Sequence, residues 1–234
     1  MTLSNFLSKI PVVIPHRKAQ VYIEYNIPRD GLVGWWRFDE GEGETVHDYS
    51  GNGNNGTALG GMSWIAGKYN GAGSFDGVDD YVNLGKKASL QNIESVSIVA
   101  TIKPNTAAMT GCIATNDYTF GYDLALVSGK LKGYIHNTDV LVGNIVIPLD
   151  ETLVVYTFDN VTDKQRLYVN GVLDKENTTS GEISTTVNDM YIGRRALTGL
   201  YFNGSIDNVM IYNRALSEAE IKQIYYETQW KRGL

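Results

Sequence analysis

Residues Gly31 to Leu84 read GLVGWWRFDEGEGETVHDYSGNGNNGTALGGMSWIAGKYNGAGSFDGVDDYVNL. Two apolar stretches, Leu32–Phe38 and Gly73–Leu84, bracket a long polar segment dense in Gly, Asn and Asp. The flanks are short and rich in aliphatic and aromatic residues, which predicts strands. The segment between them predicts a loop suited to catalysis, or to holding a metal through side-chain and backbone oxygens.

Downstream of this stretch the pattern is β almost throughout. Val96, Ile98, Ala100 and Ile102 alternate with Ser97, Val99 and Thr101 and stop at Pro104. Leu124–Val127 and Leu131–Ile135 flank a short loop, Ser128 to Lys130. Arg166–Val169 and Val172–Asp174 flank Asn170-Gly171, the strongest two-residue hairpin signal, because both turn positions need positive φ. With Leu141–Ile147, Leu153–Phe158, Met190–Gly193 and Ser205–Tyr212 the chain carries more than ten strands. That number, with short polar turns, indicates an all-β antiparallel sandwich or jelly roll. One helix closes the chain: Ser217 and Glu220 form a capping box ahead of an apolar stripe, Ile221, Ile224 and Tyr225.

Residues 1–30 differ in kind. They hold three of the five prolines and a mildly basic middle, Lys9, Arg17 and Lys18. Alternation through Val21, Ile23, Tyr25 and Ile27 predicts one extended strand. The expected organisation is an N-terminal arm or tether, 1–30, before a single domain, 31–234. The arm is expected to contact other protein subunits, in a homo-oligomer or a larger assembly.

Composition excludes several classes. The 234 residues carry 20 Lys+Arg against 26 Asp+Glu, a net charge of −6 with no long basic run. Nucleic acid and anionic membrane both demand a basic patch, so neither is expected as a partner. No run approaches the ~18 apolar residues of a membrane span, and no signal-peptide pattern is recognisable. The single Cys112 has no partner for an internal disulfide and reads as a small core residue.

The local motifs narrow the chemistry. Gly51 to Gly56 matches GxGxxG literally, but it does not follow a strand or open a helix. Asp48-Tyr49-Ser50-Gly51-Asn52-Gly53 resembles the first half of an EF-hand loop, yet Leu59 stands at the twelfth position. From spacing, Asp48, Asn52 and Asn54 are either calcium ligands or ordinary turn residues. Glu40, Glu42 and Glu44 alternate among glycines, which argues for a solvated loop and against a carboxylate pair set across a sugar. His16, His47 and His136 are scattered, and no nucleophile elbow is present. No catalytic residues are expected. Trp64, Tyr69, Tyr118, Tyr122 and Tyr134 fall in or near loops and hairpins, where aromatic faces suit stacking on sugars.

The opening stretch, with RLYVNGVL, MYIGRR and FNGSIDNVMIYNRALSEAEIKQIY, resembles a LamG-like domain (laminin G type, concanavalin A-like) from about Gly31 to Glu227. The resemblance implies a two-sheet jelly roll with its first strand near its last. It also implies a structural calcium where the early loop meets a late acid: Asp48 and Asn52 with Asp207, and Asp39 as a further candidate. The strands at 97–102 and 153–158 depart from the family pattern, lacking an aromatic in one and a Trp-His pair before the other. The expected function is a non-enzymatic, lectin-like binding or decoration module, extracellular or on a virion surface. The alternatives are a structural virion component making protein contacts only, and a glycoside hydrolase or lyase of the same fold.

Overall fold

The computed structural model describes residues 26–67, 70–91, 93–116, 121–136, 139–184, 188–195 and 198–230. The chain opens with β1 (Leu32–Trp36), β2 (Thr45–Val46), β3 (Gly56–Leu59), β4 (Ser63–Ala66), β5 (Gly71–Asp76) and β6 (Tyr81–Gly85). A short helix, α1 (Ala88–Gln91), precedes β7 (Val96–Pro104), β8 (Gly111–Thr115), β9 (Tyr122–Val127), β10 (Lys130–Ile135) and β11 (Asp139–Val146). Then come β12 (Thr152–Asp159), β13 (Lys164–Val169), β14 (Val172–Thr178), β15 (Met190–Ile192), β16 (Arg194–Arg195), β17 (Leu200–Tyr201) and β18 (Asn203–Tyr212). Helix α2 (Glu218–Trp230) ends the fold.

Two antiparallel sheets form the sandwich. The first has the order β14-β13-β12-β7-β18-β5-β4, with β1 also paired to β18. The second runs β11-β10-β9-β8-β15-β6-β3-β2, and β16 and β17 make a separate two-stranded ribbon. The first strand therefore lies beside the last, with Leu32 opposite Tyr212 and Trp36 opposite Val209.

Period-two alternation sends the central strands of the first sheet into two different cores. Val96, Ile98, Ala100 and Ile102 of β7 point between the sheets, where Val33, Trp36, Phe75, Leu167, Val169, Ile192, Ile206 and Val209 meet them. Val99, Leu153, Val155, Met210 and Tyr212 point the other way, beneath Leu216, Ile221 and Ile224. The central strands thus have no solvated face. Trp35 and Trp36 part as neighbours in a strand must: Trp36 enters the inner core and Trp35 the outer one.

Helix α2 is held over the outer core by its cap. The Ser217 Oγ accepts from the Glu220 N–H at 3.3 Å, and the Ser217 N–H donates to Glu220 Oε2 at 2.8 Å. Arg214 adds two contacts to the same carboxylate, at 3.0 and 2.6 Å, and holds its pKa down to about 2. Residues 26–30 pack here too. Ile27 is buried in the outer core, Gln223 Nε2 donates to the Asn26 carbonyl at 2.7 Å, and Tyr212 Oη donates to the Pro28 carbonyl at 3.0 Å. Residues 1–25, which carry most of the expected arm, lie outside the described residues.

The stretch read as one long loop is more structured than its composition suggested. It contains β2, β3 and β4, each only two to four residues long. The first strand stops at Trp36 and not at Phe38, whose φ of 55° turns the chain out of the sheet.

Candidate functional site

The oxygen-rich loop is stitched to β1. Asp48 Oδ1 accepts from the backbone N–H groups of Trp35 at 3.0 Å and Ser50 at 2.8 Å. Its Oδ2 accepts from the Asn54 N–H at 2.8 Å and the Ser50 hydroxyl at 2.9 Å. Four donors fill the four lone-pair sites of a carboxylate. Asn52 Nδ2 donates to the carbonyls of Leu32 and Val33, and Asn54 Nδ2 to that of Val33. The Asn54 carbonyl accepts from the Trp36 indole. The groups expected to hold calcium are engaged in fixing the loop.

The other two candidates lie elsewhere. Asp39 is bound to Arg37 at 2.7 Å and accepts from the Gly71 N–H. Asp207 lies on β18 beside a bulge and accepts from Asn208 Nδ2 at 2.9 Å. Burial pushes its carboxyl well above the usual carboxylate range, and the charge of Asp39 adds to the shift. Asp48 and Asn52, by contrast, are bonded to β1 itself. With four donors of the chain itself already on the Asp48 carboxylate, the residues present do not fit a calcium shared by Asp48, Asn52 and Asp207. Among the described residues the one cluster of three acids is Asp76, Asp79 and Asp80. There Asp76 Oδ1 accepts from the N–H groups of Val78 and Asp79, and Asp80 Oδ2 from that of Asp76, which closes the β5–β6 turn.

The aromatic candidates also need revision. Tyr122 is 0% exposed; it points between the sheets with Leu124 and Leu126, and its hydroxyl donates to the Leu90 carbonyl at 2.8 Å. It therefore cannot reach a ligand. Tyr134 is on the outer face of the second sheet but only 2% exposed, its ring within 5.0 Å of Lys132 Nζ and 5.3 Å of Arg195 Cζ. Trp64 packs at 6.3 Å from the Phe38 ring, and its indole donates to the Gly43 carbonyl. Tyr69 and Tyr118 lie outside the described residues.

A different aromatic group occupies that outer face. Val82, Leu84, Met190 and Ile192 point into the core, so Tyr81, which precedes Val82, and Tyr191, between Met190 and Ile192, point out. Their rings meet edge to face at 5.8 Å, and Tyr201 of β17 approaches Tyr81 at 6.5 Å. Arg194 lies among all three, its guanidinium carbon 4.3, 4.7 and 5.8 Å from the ring centres of Tyr81, Tyr191 and Tyr201. All four side chains are half-buried. Gly193 makes the arrangement possible. Its φ is +84°, and a Cβ there would stand 2.5 Å from the Phe75 ring, so only glycine lets the chain leave β15 and present two arginines. The second of these, Arg195, forms an ion pair with Asp123 under the same face.

Over residues 75–222 the chain matches the model of a laminin G family described as the concanavalin A-like lectin/glucanases superfamily. The chain belongs to this superfamily. Solved structures share its fold. The binding domain of Paraclostridial Mosquitocidal Protein 1 matches with a TM-score of 0.70 and 16% identity, over 84% of this chain and 52% of that one. Domain 4 of AbnA, an extracellular arabinanase from Geobacillus stearothermophilus solved in complex with arabinotriose, matches with a TM-score of 0.65 and 22% identity, over 83% of this chain and 98% of that one. The binding domain of botulinum neurotoxin serotype D/C matches with a TM-score of 0.65 and 16% identity, over 86% of this chain and 53% of that one. The chain thus spans about half the length of the toxin binding domains. No curated protein sequence matches it.

Within this lectin/glucanase fold the two outer faces are unequal. That of the first sheet lies under α2 and residues 26–30. That of the second carries the tyrosines and Arg194. Local alternation around Tyr81 and Tyr191 was a usable signal for their outward direction; their meeting with Arg194 and Tyr201 depends on sheet order.

Proposed function

We propose that this superfamily member is a non-enzymatic carbohydrate-binding module whose site is the Tyr81, Tyr191 and Tyr201 platform. One observation carries the reading: three half-buried tyrosines converge around one arginine on the sheet face opposite the one that α2 covers. Tyrosine presents an apolar ring to the C–H face of a sugar and a hydroxyl to its polar edge. Relatives in fold support the reading, since two are toxin binding domains and one was solved with arabinotriose. Extracellular placement, and display on a larger assembly such as a virion or cell surface through the N-terminal segment, belong to the same proposal.

Affinity electrophoresis through gels containing polysaccharides tests it. The wild type should be retarded by at least one polymer. Tyr191→Ala and Tyr201→Ala should migrate freely while melting like the wild type. A module making protein contacts only would show no retardation in any gel. A hydrolase would shorten the polymer, and Glu40→Gln should then stop it, since Glu40 is half-buried while Glu42 and Glu44 are exposed.

A further inference from the structure

We infer that the sugar taken by this platform is carboxylated, its carboxylate pairing with Arg194 while its ring lies on the tyrosines. The inference rests on the carbohydrate-binding reading and adds the ligand's charge.

The argument starts from how Arg194 is held. Three aromatic rings surround its guanidinium, yet among the described residues it makes no ion pair and no side-chain hydrogen bond. Its Nε is buried without a hydrogen-bond partner, while the terminal nitrogens are not among the buried, unpartnered atoms. Stacking on rings uses the faces of a guanidinium. Its N–H donors lie in the plane, and those on the two terminal nitrogens are the ones left for a ligand. A cation set among rings is partly stripped of water without being neutralised, and so favours an anion that meets it edge-on.

The neighbouring residue makes the contrast. Arg195 is gripped by Asp123 through Nε at 2.8 Å and Nη2 at 3.0 Å. Asp189, whose charge acts on Tyr191, is tied to Asn83 Nδ2 at 3.1 Å and forms no ion pair with Arg194. One uncommitted fork with fixed acids in its neighbourhood suits a singly charged group. A carboxylate fits that description better than a more highly charged phosphate ester, which Asp189 would repel. The platform supplies the remainder of the contact: a pyranose carrying a carboxylate presents an apolar C–H face to Tyr81 or Tyr201 and its charge at the ring's edge.

The test uses the intact chain on a printed array of neutral, uronate-containing, sialylated and sulfated oligosaccharides, followed by titration of the strongest hit. The expected result is hits confined to carboxylated sugars, lost when the carboxyl is reduced to an alcohol. Arg194→Gln should weaken the strongest hit by about tenfold or more, the loss of one charge-assisted pair. Circular dichroism melts show whether each variant is folded. Hits on neutral or sulfated sugars that are lost in Tyr191→Ala but unchanged in Arg194→Gln would overturn the carboxylate inference and leave the platform standing. An array without hits, or hits indifferent to both variants, would overturn the platform and this inference with it.

Discussion

Arg195 and Asp123, 72 residues apart, meet in a two-pronged ion pair under the outer face of the second sheet, with Nε–Oδ2 at 2.8 Å and Nη2–Oδ1 at 3.0 Å. Asp123 is fully buried on β9, and the Cys112 thiol also donates toward its Oδ2. The pair fixes β16 across β8 and so sets where Arg194, one residue earlier, can sit.

Removing one partner should be costly. Asp123→Ala leaves a guanidinium buried without its anion, and such breaks cost about 3–5 kcal/mol. Replacing both residues with apolar ones of similar volume should recover much of that loss. Urea denaturation of the two single variants and the double variant measures the coupling. If the single variants lose less than the double, the pair does not hold the ribbon.

The loop between β1 and β5 makes a second expectation concrete. Asp48→Ala strips acceptors from three backbone N–H groups and one hydroxyl. Each buried donor left unpaired costs about 1–3 kcal/mol, so the variant should lose several kcal/mol or fail to fold. Because those acceptors serve the chain itself, the loss should be equal with EDTA and with added calcium. A calcium-dependent rise in melting temperature that Asp207→Ala abolishes would instead support an ion at Asp39 and Asp207.

Much of this architecture is readable from residue order, and the reasons for the exceptions are physical. The Asn170-Gly171 turn has φ of 50° and 78°, the pair of positive angles that dipeptide favours. Ser217 and Glu220 cap the helix that their spacing predicts. Parity alone would have placed Tyr122 inside, because it shares its strand face with Leu124 and Leu126. The platform is different in kind. Its members come from β6, β15, β16 and β17, and the alignment of Tyr191 with Asn83 is a property of strand pairing, absent from any local pattern. The oxygen-rich loop misleads for another reason. Asp and Asn satisfy backbone donors with the same atoms that would bind a cation, and sequence does not say which partner they find.

Asp207 gives a pH dependence. Its carboxyl is raised above 3.8, the ordinary aspartate value, chiefly by burial and secondarily by Asp39. A raised acid stabilises the fold in its neutral form. That contribution is complete below the unfolded-state value and is lost as pH rises through the folded-state value. Asp207→Asn should therefore flatten the decline that sets in as pH rises above the ordinary aspartate range. Urea midpoints measured from acid to alkaline pH, for both proteins, check this. Parallel curves would show that Asp207 does not titrate against stability.

The last expectation concerns where the packed domain begins. Ile27 is 4% exposed in the core beneath α2, and the Asn26 and Pro28 carbonyls accept from Gln223 and Tyr212. These contacts bind the end of the N-terminal segment to β18 and to the helix that covers the first sheet. Ile27→Ala should cost about 2–5 kcal/mol, the usual range for truncating a buried aliphatic chain. Deleting residues 1–25 spares every one of these contacts, so the shortened protein should melt like the full chain. If the deleted residues anchor a larger assembly, it should also sediment as a smaller species than the full chain. Equal sedimentation with equal melting would move the anchor onto the sandwich. A lowered melting temperature would make residues 1–25 part of the domain's own packing.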